Sequence, residues 1–376
     1  MVSTSPNGRW LVPCLLLTLG LLTTSGCLSG GFRTVSSAEF DQLLRDRGVE
    51  EVIVPFRISE EMYEWVARTI PTDPREDRKL SFLADALLSP SGLEIAYERD
   101  ANLTAQEVFA ERRANCLAFT QLFIGLARSV GVEAYFLQVR DVERFEREGD
   151  LVILSDHVAV GFGPTHDMRI IDFGQAQAEY QSLQILSDFT AVALFYSNLG
   201  TDALRIGDTA GAARWLEQAV KIDPDLPDAW VNLGVVHRRS GDPVAAERSY
   251  RRALEADPGA SSAYNNLAAL LRMQGKEAEA SELLELAAVQ NSRNPFAYTA
   301  LAEYNARHGR SDEAMKFFRR AVQLGEDQPD VLAAYGLFRL SQGERRAAER
   351  LLRRARKMDS TASRVVLLER RLSGSG

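Results

Sequence analysis

The sequence predicts two folded parts in series, an α+β region followed by an all-α repeat array, behind a short amino-terminal address. Three observations carry this. Ten alanines recur in two series with a common step of 34 residues between Ala212 and Ala355. The stretch from Ser36 to Asp188 lacks that step and switches from helical to strand-like patterning. An apolar run from Trp10 to Leu22 follows Arg9 and is too short to span a membrane. A chain of 376 residues has room for two or three domains. The formal charge of −8 argues against nucleic acid as a partner. Cys14, Cys27 and Cys116, with four scattered histidines, make neither a disulfide scaffold nor a dedicated metal site, and no cofactor is expected.

Residues 1–26 read as a signal peptide. The apolar run ends in Leu22-Thr23-Thr24-Ser25-Gly26-Cys27, which resembles the lipobox of bacterial lipoproteins. That resemblance implies a lipidated Cys27 and, with Leu28 next, the periplasmic face of the outer membrane, so that the membrane is met through the anchor alone. An ordinary secretory signal cut nearby is the other reading. In the lipidated case residues 27–37 are a linker, and Cys116 is the one free thiol of the mature protein.

The α+β part is expected over 38–190. Ser37-Ala38-Glu39 opens a short helix carrying Phe40, Leu43 and Leu44. Ile58–Ile70 and Arg78–Leu88 read as helices separated by the Pro71–Pro74 turn. Asn115 is a helix N-cap ahead of Phe119, Leu122, Phe123, Leu126 and Val130 at helical spacing, with Gly131 as terminator. Strands are expected at Glu133–Val139, His157–Phe162 and Met168–Phe173. A helix followed by an antiparallel sheet is an α+β arrangement.

The N-cap puts Cys116 at the first helical position, where free amides and the helix dipole favour a thiolate. A nucleophilic cysteine needs a base, and the base needs an orienting acceptor. A turn centred near residues 164 and 165 sets His157 directly opposite Asp172 and Val158 opposite Ile171. One helix and one hairpin then present Cys116, His157 and Asp172 together. Singly, each also reads as a structural residue: a small core cysteine, a satisfied histidine, a strand-end cap. Metal binding by His157, His166 and Asp167 matches no strong spacing.

The blocks Thr104–Phe109, Arg112–Phe119, Ala127–Ala134, Asp156–Val160 and Ile170–Phe173 resemble the transglutaminase-like core. The resemblance implies a papain-like fold with Cys116 as nucleophile, His157 as base and Asp172 as orienter. Asn115 and Leu117 depart from the glycine and aromatic residue common around the cysteine of animal-type members. The implied chemistry is acyl transfer from an amide-bearing protein or peptide substrate, with water or a lysine amine as acceptor. The Cys116 backbone N–H is one expected oxyanion donor, and Gln106 is a candidate second.

The repeat array is expected over 193–360, in five units starting near Ala193, Pro227, Ser261, Pro295 and Pro329. Alanines at 212, 246, 280, 314 and 348, and at 219, 253, 287, 321 and 355, flank bulky Leu216, Tyr250, Leu284, Phe318 and Leu352. A period of 34 with small residues where paired helices touch is the tetratricopeptide signature. Such pairs stack into a right-handed superhelix with a concave groove for a protein or peptide ligand. Arg205, Arg238, Arg239, Arg272 and Arg307 fall where groove residues are expected, as a basic stripe or as solvated surface arginines. The segment 361–376 reads as a capping helix and tail, with Val365, Val366, Leu368 and Leu372 on one face.

The whole predicts an envelope-anchored acyl-transfer enzyme with a protein-binding repeat module. The rival is a scaffold of the same architecture whose triad is idle.

Overall fold

The computed structural model describes residues 37–49, 52–73, 75–148, 151–163, 168–173, 182–290 and 294–374. Cys14, Cys27 and the whole expected signal segment lie outside them, as do His166 and Asp167. Among the described residues the chain forms sixteen helices and six strands.

Three helices open the α+β part: α1 (Ser37–Asp46), α2 (Glu60–Thr69) and α3 (Glu76–Leu88). Each buries one apolar stripe, for example Leu80, Leu83 and Leu87 of α3. A two-residue strand, β1 (Ala96–Tyr97), then runs parallel to β2 (Arg113–Ala114), with Tyr97 level with Ala114. Between them lies α4 (Ala105–Glu111), started by a capping box in which Thr104 and Glu107 satisfy each other's backbone amides.

Helix α5 (Cys116–Ser129) is the centre of this part. Leu117 to Ile124, Leu126 and Ala127 are all buried, so the helix is wrapped on every side rather than laid on a surface. The sheet is antiparallel in the order β5-β4-β3-β6. It comprises β3 (Ala134–Glu148), β4 (Leu151–Phe162), β5 (Arg169–Ile171) and β6 (Ser182–Leu186).

Two sequence expectations change here. Strands β3 and β4 run on past Val139 and back before His157, through a register irregularity between Val139 and Arg144. Arg144–Glu148, which the expected strands leave out, pairs with Leu151–Ser155. The hairpin register also differs from the expected one: Val160, not Val158, pairs with Ile171. Phe162 pairs with Arg169, so the register is centred one residue later than expected and the pairing slides by two. Because side chains alternate with period two, a slide of two keeps every residue on its face. Both faces are covered, with Val158 and Val160 buried on one side and Ala159, Val139 and Leu137 on the other.

The helical array follows as pairs. The first is α6 (Asp188–Arg205) with α7 (Thr209–Ile222), and the second α8 (Pro227–Arg239) with α9 (Pro243–Ala256). The third and fourth are α10 (Ser261–Met273) with α11 (Glu277–Gln290) and α12 (Pro295–Arg307) with α13 (Ser311–Leu324). A fifth, α14 (Pro329–Ser341) with α15 (Arg345–Met358), is closed by α16 (Ser363–Ser373). Four of the five expected starts coincide with the observed first residues; the first helix begins earlier, on the N-cap Ser187. Any boundary between 190 and 193 therefore falls inside α6.

In the first two pairs a glycine lets the helices touch. A Cβ on Gly234 would come within 2.4 Å of the Tyr250 ring, and one on Gly200 within 2.5 Å of Leu216. The turn inside each pair holds a glycine at positive φ: Gly207, Gly241, Gly275, Gly309 and Gly343, between 73° and 82°. At the far end, Val365, Leu368 and Leu372 of α16 pack into one cluster with Leu332, Ala333, Ala348 and Ala355. That is the expected cap.

The two parts share α6. Arg128 at the end of α5 forks onto Asp188, with Nη1 2.8 Å from Oδ2 and Nη2 2.9 Å from Oδ1. The same guanidinium donates to the Ala134 carbonyl at the start of β3. The Tyr196 hydroxyl accepts from the Ile53 N–H at 2.9 Å, and the Phe189 ring lies between Phe40 and the Arg47 guanidinium. Strand β4 also runs beside α10, an inner helix of the third pair.

Candidate functional site

Asn115 is the N-cap of α5, its Oδ1 accepting from the Ala118 N–H at 2.8 Å. Its own N–H is tied to the Ala101 carbonyl at 3.1 Å, so the entry to the helix is fixed from both sides. Cys116 is the first helical residue and is partly exposed. The cap takes the Ala118 N–H, and the Cys116 and Leu117 N–H groups of the first turn have no intrahelical acceptor.

Two contacts hold this end of α5 against the sheet. Thr120 donates its hydroxyl to the Val158 carbonyl at 3.2 Å, one residue beyond His157. Phe119 stacks on Phe173 at 4.1 Å with planes 9° apart, one residue beyond Asp172. The neighbours of the nucleophile thus grip the neighbours of its two expected partners.

His157 Nε2 is bonded to Asp172 Oδ1, and the ring is also hydrogen-bonded to Cys116. With Nε2 taken by the carboxylate, Nδ1 is the ring atom left for the sulfur. Burial disfavours the charged imidazole, but the hydrogen bonds to Asp172 and Cys116 and their negative charge outweigh it. The histidine is pushed up to about 10. The three residues singled out in the sequence stand together, although not by the route expected. Asp172 lies diagonal to His157 across the β4–β5 pair rather than opposite, still within reach of a long side chain.

Tyr97 lies near enough to feel the charge of Cys116, and it escaped sequence reasoning. Burial raises its phenol above the ordinary tyrosine value, and the charge of Cys116 raises it further. Its ring centroid is 5.7 Å from that of Phe173. A two-residue parallel ladder leaves no periodic signal, so nothing in the sequence marks Tyr97. Gln106 stands elsewhere: its Nε2 donates to the Arg57 carbonyl at 3.3 Å, in a cavity of about 610 Å³ with Trp65 and Phe109. As an oxyanion donor it is corrected, because its amide bonds the Arg57 carbonyl in a cavity whose lining does not include Cys116.

The arginines of the repeats are engaged within the chain. Arg205 pairs with Asp202 at 3.2 Å and with Asp100 at 3.7 Å, and Arg239 donates to the Leu204 carbonyl at 3.1 Å. Arg238 also has partners within the chain. Arg272 lies 3.9 Å from both Glu277 and Glu303, and Arg307 meets Glu277 at 3.2 Å. Burial, then the positive charge of Arg307, lowers the Arg272 guanidinium from the ordinary arginine value. Glu303 also holds Arg364 at 2.9 Å, so the ionic chain runs from α10 through α12 to the cap. Arg239, Arg272 and Arg307 each reach a neighbouring repeat through these contacts.

Comparison with known proteins bears on the helical part. Two family models of the tetratricopeptide repeat match, one at residues 197–261 and 274–329 and the other at 249–280. No curated protein matches the chain. Similar solved structures include that from the functional characterization of Pseudomonas aeruginosa pilF. It is 25% identical, covering 50% of this chain and 86% of its own, with a TM-score of 0.43. The MamA protein is 22% identical over 45% and 92% of the two chains, with a TM-score of 0.35. A thermophilic TPR protein of Thermus thermophilus is 20% identical over 48% and 97%, with a TM-score of 0.42. From Ser197 through Pro329 this chain is an array of tetratricopeptide repeats, an all-α superhelix of the kind that binds peptides or proteins.

Proposed function

We propose that the α+β part is a transglutaminase-like cysteine acyl-transfer domain and that the repeats present or recruit its protein substrate. One observation carries this reading: His157 is bonded at once to Asp172 and to a cysteine at a helix N-terminus. In the proposed reaction the Cys116 sulfur attacks an amide carbonyl and the π pair moves onto the oxygen. His157 gives its proton to the departing nitrogen, the C–N bond breaks, and a thioester with free ammonia or amine remains. Asp172 holds the ring so that Nδ1 faces the sulfur. Water or a second amine then releases the acyl group. The resemblance of the cysteine, histidine and aspartate blocks to the transglutaminase-like core supports the assignment. The proposal extends to an anchor at Cys27 in the bacterial envelope, resting on the sequence pattern alone; Cys27→Ala should then move the protein from membrane to soluble fractions.

The test supplies a glutaminyl peptide with a labelled primary amine. Ammonia release, with or without amine incorporation, is expected from the parent and absent in Cys116→Ala. Incorporation distinguishes an amine acceptor from water. If neither ammonia nor incorporation appears and no acyl group is found on Cys116 by intact mass, the enzyme reading fails. The scaffold reading then stands.

A further inference from the structure

We infer that Tyr97 is the second oxyanion donor of the acyl-transfer site, its phenol O–H meeting the carbonyl oxygen opposite the Cys116 backbone N–H. This rests on the acyl-transfer reading above and names a residue that reading lacks.

Three placements lead to it. Tyr97 lies level with Ala114 in the β1–β2 ladder, two residues ahead of the nucleophile. The ladder is closed by the Ala96 N–H on the Arg112 carbonyl and the Glu98 N–H on the Ala114 carbonyl, both at 2.9 Å. The backbone of Tyr97 is therefore held to the backbone that delivers Cys116. Its ring leans on Phe173, which stacks on Phe119, one turn into α5. That puts the phenol beside the first turn, where the free amides open, with half its surface in solvent where a substrate would arrive. Burial and the cysteine's charge both disfavour loss of the phenol proton, so the hydroxyl remains a donor at neutral pH.

In the proposed step the sulfur–carbon bond forms as the carbonyl π pair moves to oxygen. The phenol donates a hydrogen bond to that oxyanion and keeps its proton. The proton for the leaving nitrogen comes from His157. Collapse of the oxyanion breaks the C–N bond and restores the carbonyl as a thioester. A donor to developing charge accelerates only steps that build that charge.

This gives a test with its own control. Alkylation of Cys116 by iodoacetamide builds no oxyanion, whereas acylation by p-nitrophenyl acetate does. Both rates are measured on the full chain, with Cys116→Ala as the blank. Tyr97→Phe keeps the ring on Phe173 and removes only the hydroxyl. The expected result is acylation about 10- to 100-fold slower with alkylation unchanged. Equal acylation in parent and variant overturns the inference and leaves the acyl-transfer reading intact. A parallel fall in both rates also overturns it, because the hydroxyl would then be positioning the thiol. A parent thiol that alkylates but never acylates overturns both together.

Discussion

Replacing Asp172 with asparagine keeps a hydrogen-bond acceptor beside His157 and removes its charge. The ring's rise from 6.5 to about 10 sets a ceiling of about 5 kcal/mol, at about 1.36 kcal/mol per pH unit. Burial works against the charged ring, and Cys116 shares the favourable part with Asp172. The His157 side chain also keeps 19% of its surface in solvent, and screening reduces the carboxylate's share to roughly 2 kcal/mol. The sign follows from a raised folded-state value. The stabilisation is complete below the unfolded value of 6.5, erodes as pH rises, and is gone above about 10. Asp172→Asn should therefore lose roughly 2 kcal/mol near pH 6 and almost nothing near pH 10.5. Urea denaturation of the full chain at the two pH values, followed by circular dichroism, measures the difference. An equal loss at both, or a larger one in alkali, would refute a charged imidazole held by this carboxylate.

Asn115→Ala removes the cap bond to the Ala118 N–H. It should cost about 1 kcal/mol in urea and slow acylation of Cys116, whereas a cap without influence on the site would leave the acylation rate alone. Gly234→Ala forces a Cβ against the Tyr250 ring and should cost about 1–3 kcal/mol. Gly241→Ala meets open space, and its cost of about 1 kcal/mol comes only from positive φ; equal losses at both sites would contradict this division. A fragment from Ser187 to Gly374 keeps the cap of α6 and should melt cooperatively as pure helix. Its midpoint should fall below that of the full chain, since Tyr196 loses the Ile53 amide and Asp188 loses Arg128; an unchanged midpoint would show that the α+β part lends the array nothing.

What the sequence disclosed follows from how local each signal is. The helical pairs were legible because the step of 34 repeats the same contact, down to the starts at Pro227, Ser261, Pro295 and Pro329. The turn glycines at 207, 241, 275, 309 and 343 obey the same step and could have been read from it. The cap at Asn115 and the position of Cys116 were equally local. The pairing of β4 with β5 was not. It depends on a connection whose length the residues Gly163 to Met168 do not announce, and only the period of two saved the relation of His157 to Asp172. Strands β1 and β2 are too short for any period, and β6 finds its partner β3 from more than forty residues away. Several partners of the arginines are far away in sequence: Glu303 for Arg272, Glu277 for Arg307 and Asp100 for Arg205.

Helix α6 has a consequence for how this array can change in length. An added unit of 34 residues can enter between any two of the later pairs, because the 34-residue step sets the same small and large positions in each of them. The position ahead of α6 is closed to such an addition. There Arg128 holds Asp188, the Ile53 amide holds the Tyr196 hydroxyl, and Phe40 and Arg47 enclose Phe189. An inserted pair would have to break all three contacts, and its own inner face would meet none of them. The array is therefore extensible away from the α+β part and fixed where it joins it. Whatever number of repeats the chain carries, the helix that follows the β-sheet stays the same one.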